Sequence, residues 1–129
     1  MYRLYFTGDG MADVKALPEN TRNSLKKPLI QRLASDPHRH STGLKSPLEA
    51  FRSLHWKKYR IVFKVYAELG AIAIVGVGER QPQSASNIHR RLERLAAQGK
   101  LAESVLATLR GLSSRQAGAG PEWTNALYH

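Results

Sequence analysis

Two runs of residues decide the fold: YRIVFKVY at Tyr59–Tyr66 and AIAIVGVGER at residues 71–80. The first run alternates aromatic and β-branched residues with other types, which is typical of a strand packed on one face. The second run is almost wholly apolar, as in a central strand that is covered on both faces. Because the break between them is short and ends in Gly70, the two runs are predicted to form an antiparallel hairpin.

Two arginines accompany this hairpin. Arg60 is opposite in phase to Ile61 and Phe63, and Arg80 follows the second apolar run directly. With this spacing, we expect both guanidinium groups to reach one surface of a small sheet and to make that surface cationic. The predicted functional surface is therefore centred on this pair.

The composition is that of one basic globular domain. The chain has 129 residues, of which 42% are hydrophobic, enough for one modest core. Twenty Lys and Arg against ten Asp and Glu give a formal net charge of +10, and such a balance favours acidic partners such as nucleic acid. Because the sequence has no cysteine, disulfides, thiolate zinc sites and a cysteine nucleophile are excluded.

Neither a signal peptide nor a membrane span is expected. Residues 1–6 lead at once into a glycine-containing segment, and no apolar run approaches the roughly 20 residues that a spanning helix needs. The simplest prediction is a soluble cytoplasmic protein without a membrane partner.

The first third of the chain predicts one strand and two helices. Residues 2–6 are a strand candidate, followed by a brief helix capped by Asp9 and by a second helix that opens at Pro18. Pro28 should kink or split the second helix, because proline lacks an amide hydrogen and clashes with the preceding turn.

The middle of the chain is predicted to form a loop, a strand and the hairpin, and the end to form helices. Residues 38–47 are the predicted polar loop, and residues 48–56 a weaker strand that leads into the hairpin. Ser84 or Ser86 is expected to cap a helix with an apolar stripe, and a second helical stripe follows over residues 101–112.

These elements predict an α+β domain. Its small, antiparallel-rich sheet would carry the N-terminal helical hairpin on one face, with C-terminal helices in addition. The other sheet face is expected to be open, concave and lined by the arginines. Residues 1–112 would form this domain, and residues 113–129 a flexible or partner-docking tail.

The order of elements and several short motifs resemble the RelE/ParE superfamily of bacterial toxins from type II toxin–antitoxin systems. The resemblance is collinear over about residues 1–95. The matching pieces are YRLYFT at 2–7, LP at 17–18, LASDP at 33–37, GLK at 43–45, YRIVF at 59–63 and VGER at 77–80.

The resemblance implies two alternative activities. RelE-like members are ribosome-dependent endoribonucleases that cut messenger RNA in the decoding site, whereas ParE-like members inhibit DNA gyrase and lack a nuclease centre. Both are neutralised by an acidic antitoxin that wraps the toxin, which implies a hetero-oligomer. A third interpretation is a non-toxic nucleic-acid-binding domain with a degenerate site.

Arg60 and Arg80 correspond to the two arginines that bind the scissile phosphate in RelE-like members. The guanidinium group suits this role because its planar fork contacts phosphate oxygens bidentately and stays charged. RelE itself has two lysines and a tyrosine at positions that here hold Phe51, Ser53 and Ser86. These departures favour the gyrase alternative, whereas the paired arginines and the +10 charge favour RNA.

Two histidines are the candidate acid–base residues, because imidazole exchanges protons near neutral pH. Some relatives in the superfamily use histidines in this role. His55 is predicted to lie on the same edge as Arg60, and His89 in the first turn of the helix after Arg80. Both are therefore predicted catalytic residues beside the arginine pair.

The remaining basic residues are assigned to binding. Lys45, Arg52, Lys57 and Lys58 are predicted to contact nucleic-acid backbone, which gives salt-sensitive affinity without sequence preference. The run HRH at residues 38–40 suggests a metal site, but no nearby carboxylate cluster or cysteine supports it. We expect no metal and no cofactor.

The second half of the helical region has two further features. Arg90, Arg91 and Arg94 are interpreted as the solvent-facing side of an amphipathic helix. Residues 101–129 run longer than compact superfamily members need. As a hypothesis, this extension shields the basic face or enlarges the antitoxin or dimer contact.

Overall fold

The computed structural model describes residues 1–79 and 87–114, the side chains of 111–114 excepted. Its architecture is α+β, which confirms the predicted class. In chain order the elements are β1 (Arg3–Phe6), α1 (Gly8–Ala16), α2 (Glu19–Pro28), β2 (Ser41–Gly43), β3 (Arg52–Trp56), β4 (Tyr59–Tyr66), β5 (Ala71–Glu79), α3 (Ile88–Ala97) and α4 (Lys100–Ser114).

The strands form one mixed sheet in the order β1-β5-β4-β3-β2. β1 runs parallel to β5, and the other neighbours are antiparallel. The predicted hairpin is confirmed, because β4 and β5 pair from Tyr59 opposite Glu79 to Tyr66 opposite Ala71. At its turn, Gly70 has a φ of 60°, in the left-handed region that glycine enters without steric cost.

The N-terminal helices cover one face of the sheet. Pro28 ends α2, and the chain continues as a π-helical segment over Leu29–Ala34, so the predicted interruption at this proline is confirmed. The core between this layer and the sheet includes the fully buried side chains of Leu4, Val14, Leu25, Leu29, Leu33, Ile61, Phe63, Ile72 and Ile74.

The C-terminal helices cover the other face. Val62 and Val75 of the sheet pack against Ile88 and Leu92 of α3, and against Val105 of α4. The prediction of an open second face is therefore wrong. Its physical reason lies in β5, which is buried on both faces from Ala71 to Val77 and gives the apolar stripes of α3 and α4 a surface to bury.

The structure also differs from the prediction in an additional strand and in the start of β3. β2 lies within the predicted loop, since its three residues are too few to show an alternating pattern. β3 begins at Arg52, not at residue 48, because the preceding residues turn: Leu48 donates its N–H to the Lys45 carbonyl and Phe51 to the Leu48 carbonyl.

The helix caps differ from the predicted ones. The Thr7 hydroxyl caps α1 by accepting from the Gly10 N–H at 3.1 Å, which places Asp9 inside the first turn. Asn87 caps α3, since its side-chain oxygen accepts from the His89 N–H at 2.8 Å. The two serines predicted to cap this helix, Ser84 and Ser86, lie outside the described residues.

Of the predicted tail, residues 113–114 belong to α4, and residues 115–129 lie outside the described part of the chain. Among the helices described, none combines the length and the apolar character that crossing a membrane requires.

α1 lies so close to β5 that only glycine fits at position 10, because a Cβ there would overlap the Ile74 carbonyl oxygen. We expect Gly10→Ala to lower the free energy of unfolding by about 1–3 kcal/mol, the usual cost of overpacking. Urea denaturation measures this. Gly8→Ala in the same helix is the matched control, since nothing lies within 4 Å of its Cβ. Equal stability of the two variants would contradict this packing.

Candidate active site

The β3–β4 hairpin sets His55 and Arg60 directly opposite each other, and Arg60 is opposed in turn by Gly78 on β5. Val62 packs against α3, and side chains two residues apart on a strand share a face. Arg60 and its partner His55 therefore lie on the sheet face that α3 and α4 cover. A Cβ at Gly78 would lie 3.3 Å from the Cβ of Ile88, the first residue of α3. The start of α3 therefore lies over Gly78, the cross-strand partner of Arg60. The predicted juxtaposition of His55 and Arg60 is confirmed.

The ring of His55 is exposed and oriented by the neighbouring turn. Its Nε2 lies 2.9 Å from the Lys57 carbonyl oxygen. Because a carbonyl only accepts, Nε2 carries the hydrogen, and in the neutral ring Nδ1 is the acceptor. The nitrogen that can take up a proton is therefore Nδ1.

The guanidinium of Arg60 is half-buried, and its Nη1 donates to the Tyr59 carbonyl at 3.2 Å. That contact uses one of the five N–H donors that the group carries. Within the described residues Arg60 forms no ion pair, so its charge is not neutralised by a carboxylate there. Such a group suits an anionic ligand.

A polar cleft of about 450 Å³ opens on the side of the sheet that carries α3, between β2 and the first turns of that helix. Its lining brings His89 together with Lys45, and also includes Glu93, one turn after His89. Thr42 in this lining pairs with Ser53, two residues before His55 on β3. The cleft thus adjoins the strand that carries His55.

An ion pair joins α1 and α3, which lie on opposite faces of the sheet, beside the part of β5 that β1 does not cover. Asp13 accepts from both terminal nitrogens of Arg91, with 3.0 Å between Arg91 Nη1 and Asp13 Oδ1. The same carboxylate accepts from the Val77 N–H at 2.9 Å, beyond the point where β1 stops pairing with β5 at Ile74. A Cβ at Gly76 would lie 3.2 Å from Arg91 Nη2, so Arg91 crosses β5 at a glycine.

The interpretation of Arg91 as a solvent-facing side chain is therefore wrong, although Arg90 and Arg94 on the same helix are exposed. Asp13 and Arg91 are 78 residues apart, and no local pattern in the sequence links them. The pair holds the first turns of α3, and with them His89, against the edge of the sheet.

No protein-family model and no curated protein matches the chain. Solved structures do. The chain aligns with a chain of the RelBE2 toxin–antitoxin complex from Mycobacterium tuberculosis at a TM-score of 0.58 and 23% identity, over 61% of this chain and 91% of that one. The fold is RelE-like.

Two structures from E. coli agree. The isolated RelE toxin aligns at a TM-score of 0.54 and 21% identity, over 74% of this chain and 99% of that one. A chain of the intact RelBE toxin–antitoxin complex aligns at 0.51 and 21%, over 63% and 99%. The alignments thus cover nearly the whole length of these two structures. The predicted resemblance is confirmed at the level of the fold.

On this RelE-like fold, the two positions that the resemblance assigns to lysines are buried. Phe51 is 9% exposed and Ser53 is 6% exposed, both on the side of the sheet that α3 and α4 cover. The Ser53 hydroxyl has no hydrogen-bond partner among the described residues. These positions accordingly offer no charged group to a ligand.

Arg52 lies on the opposite face of β3 from His55, since the two are an odd number of residues apart. Its Nε donates to the Ser41 hydroxyl at 2.7 Å and its Nη2 to the Ser41 carbonyl at 2.9 Å. Arg52 therefore ties β3 to the edge strand β2, away from Arg60.

The two lysines of the β3–β4 turn lie next to His55. Lys57 has a φ of 54°, and its Nζ lies 5.1 Å from the centre of the Trp56 ring. Lys58 pairs with Glu79 at 2.8 Å, and the hydrogen bond and negative charge of this partner raise the pKa of Lys58. Both ammonium groups are presented on the exposed turn.

Arg80 and Ser86 lie outside the described residues. Arg80 is the residue immediately after Glu79, at which β5 ends. Within the described ranges, no group of three or more His, Cys, Asp or Glu side chains could hold a metal ion.

Proposed function

We propose that this chain is the toxin of a type II toxin–antitoxin system and that it cuts messenger RNA on the ribosome. The observation that carries the proposal is the direct opposition of His55 and Arg60 on a RelE-like fold. Attack of a ribose 2′-hydroxyl on the adjacent phosphate needs a base, a cation for the phosphorane and an acid for the leaving oxygen. The candidates that we assign to these roles are His55 as the base, Arg60 as the cation and His89 as the acid.

In the proposed reaction, Arg60 and Arg80 bind the scissile phosphate and stabilise the charge on its oxygens. Nδ1 of His55 takes the proton from the 2′-hydroxyl as the 2′-oxygen bonds to phosphorus. The bond from phosphorus to the 5′-oxygen breaks, and His89 in its protonated form donates a proton to that oxygen. The products are a 2′,3′-cyclic phosphate and a 5′-hydroxyl.

The charge of the chain fits the proposed partners. Lys45, Lys57 and Lys58 are exposed and would contact the backbone of ribosomal or messenger RNA. The formal net charge of +10 complements an acidic antitoxin, with which the toxin would form an inactive hetero-oligomer. Action on the ribosome would place the protein in the cytoplasm.

A second candidate function is gyrase inhibition of the ParE type. The burial of Phe51 and Ser53 favours it, because these positions lack the cations that RelE uses for chemistry. In that case the surface around Arg60 and the exposed lysines would bind its target without breaking a bond.

Pulse labelling after induction in a bacterial host separates the two functions. We expect protein synthesis to fall before DNA synthesis, and Arg60→Ala to relieve the fall. Arg32→Ala is the control, because Arg32 is exposed on the N-terminal helical layer, on the other side of the sheet. An early fall in DNA synthesis alone would replace this proposal with gyrase inhibition.

His55→Gln is expected to lower the rate of ribosome-dependent cleavage by about 10²-fold or more, the contribution of a positioned general base. His40→Gln is the matched control, since His40 is exposed on the loop before β2. An unchanged rate in His55→Gln would remove His55 from the mechanism.

A further inference from the structure

An apolar groove of about 330 Å³ lies along α4, on the side of the sheet that the C-terminal helices cover. Phe51, Ala102, Val105 and Leu106 are among the residues that line it, as are Lys64 and Tyr66. Leu106 is 49% exposed, which makes it one of the exposed large hydrophobic side chains of the described chain. An apolar side chain seated in this groove would leave water for contact with apolar atoms, which is favourable.

The chain itself supplies a candidate occupant close by. The described residues end at Ser114, eight residues beyond Leu106, which is about 12 Å along a helix. Trp123 is nine positions beyond Ser114, and an extended chain of nine residues spans about 30 Å. Trp123 therefore has more than the reach it needs to return to Leu106.

The composition of residues 115–129 fits the groove. These 15 residues contain three large apolar or aromatic side chains, Trp123, Leu127 and Tyr128. These three side chains come after the sequence GAGP at 118–121, in which glycine and proline favour a change of chain direction. Glu122 also gives the segment a negative charge that complements Lys64 at the groove.

We propose that residues 121–129 dock into this groove of the same molecule and bury Trp123 against α4. A tethered segment has an effective concentration on the order of mM, so an apolar contact too weak to hold a separate molecule suffices. This inference does not depend on the proposed nuclease activity.

Tryptophan fluorescence tests the docking, because the sequence has two tryptophans and Trp56→Phe leaves Trp123 as the sole emitter. Relative to a free peptide of residues 115–129, we expect blue-shifted emission and reduced quenching by iodide. Leu106→Glu should return both values to those of the peptide. Ala107→Glu, which places the same charge on α4 outside the groove, should not. Peptide-like emission in the parent protein would overturn the proposal.

Disulfide trapping gives a second measurement that leaves the buried Trp56 in place. Because the chain has no cysteine, Ala102→Cys with Asn125→Cys introduces one defined pair. We expect mild oxidation to give a monomeric disulfide, and Ala107→Cys with Asn125→Cys to give markedly less. A disulfide-linked dimer would mean that a second copy fills the groove, and would overturn the proposal, as would equal trapping in both pairs.

Discussion

Replacing Arg60 with alanine is expected to slow ribosome-dependent cleavage of messenger RNA by about 10²- to 10³-fold, the usual loss when one preorganised donor to a developing charge is removed. The guanidinium is half-buried beside His55 and forms no ion pair within the described residues, so its charge is available to a phosphate. Single-turnover cleavage of a message on purified ribosomes measures the effect.

Arg60→Lys sharpens this test. A lysine keeps the charge but loses the planar fork that contacts two phosphate oxygens, so we expect a rate between those of wild type and Arg60→Ala. Arg32→Ala should cleave like wild type, since Arg32 is exposed on the other helical layer. A full rate in Arg60→Ala would remove Arg60 from phosphate binding.

Asp13→Ala is expected to lower the free energy of unfolding by about 2–3 kcal/mol. This is below the roughly 3–5 kcal/mol for breaking a fully buried pair, because the Arg91 side chain is 35% exposed. The substitution leaves the Arg91 charge without its partner and the Val77 N–H without its acceptor. Urea denaturation of wild type and variant measures the difference.

Two further variants separate the causes. Asp13→Ala combined with Arg91→Ala should recover part of the loss, because the uncompensated charge is then gone. Arg94→Ala, at an exposed position of the same helix, should change stability by no more than about 0.5 kcal/mol. If Asp13→Ala were as stable as Arg94→Ala, the ion pair would not hold α3 to the sheet.

The central hairpin could be predicted because its signals are local. Alternation along β4, the apolar run of β5 and Gly70 between them each concern a few neighbouring residues. The opposition of His55 and Arg60 was predictable for the same reason: the two are equally distant from the tight turn at Lys57 and Lys58.

The packing of α3 and α4 on the second sheet face is one part of the fold that the sequence prediction missed. The helical stripes and the doubly apolar β5 each indicated burial, but an antiparallel sheet can leave one face in water, and that general tendency favoured an open face. The strand β2 and the pair of Asp13 and Arg91 have no local signal, because a three-residue edge strand has no period and the pair spans two layers.

The most direct test of the proposed function maps the cut and the chemistry of its ends. Purified protein is added to ribosomes stalled with a defined codon in the decoding site, and the message is analysed by primer extension and by end labelling. We predict one cut within that codon, leaving a 2′,3′-cyclic phosphate and a 5′-hydroxyl, and the same cut about 10²- to 10³-fold more slowly with Arg60→Ala. An intact message, with loss of supercoiling activity when the same protein is added to gyrase, would contradict the proposed function.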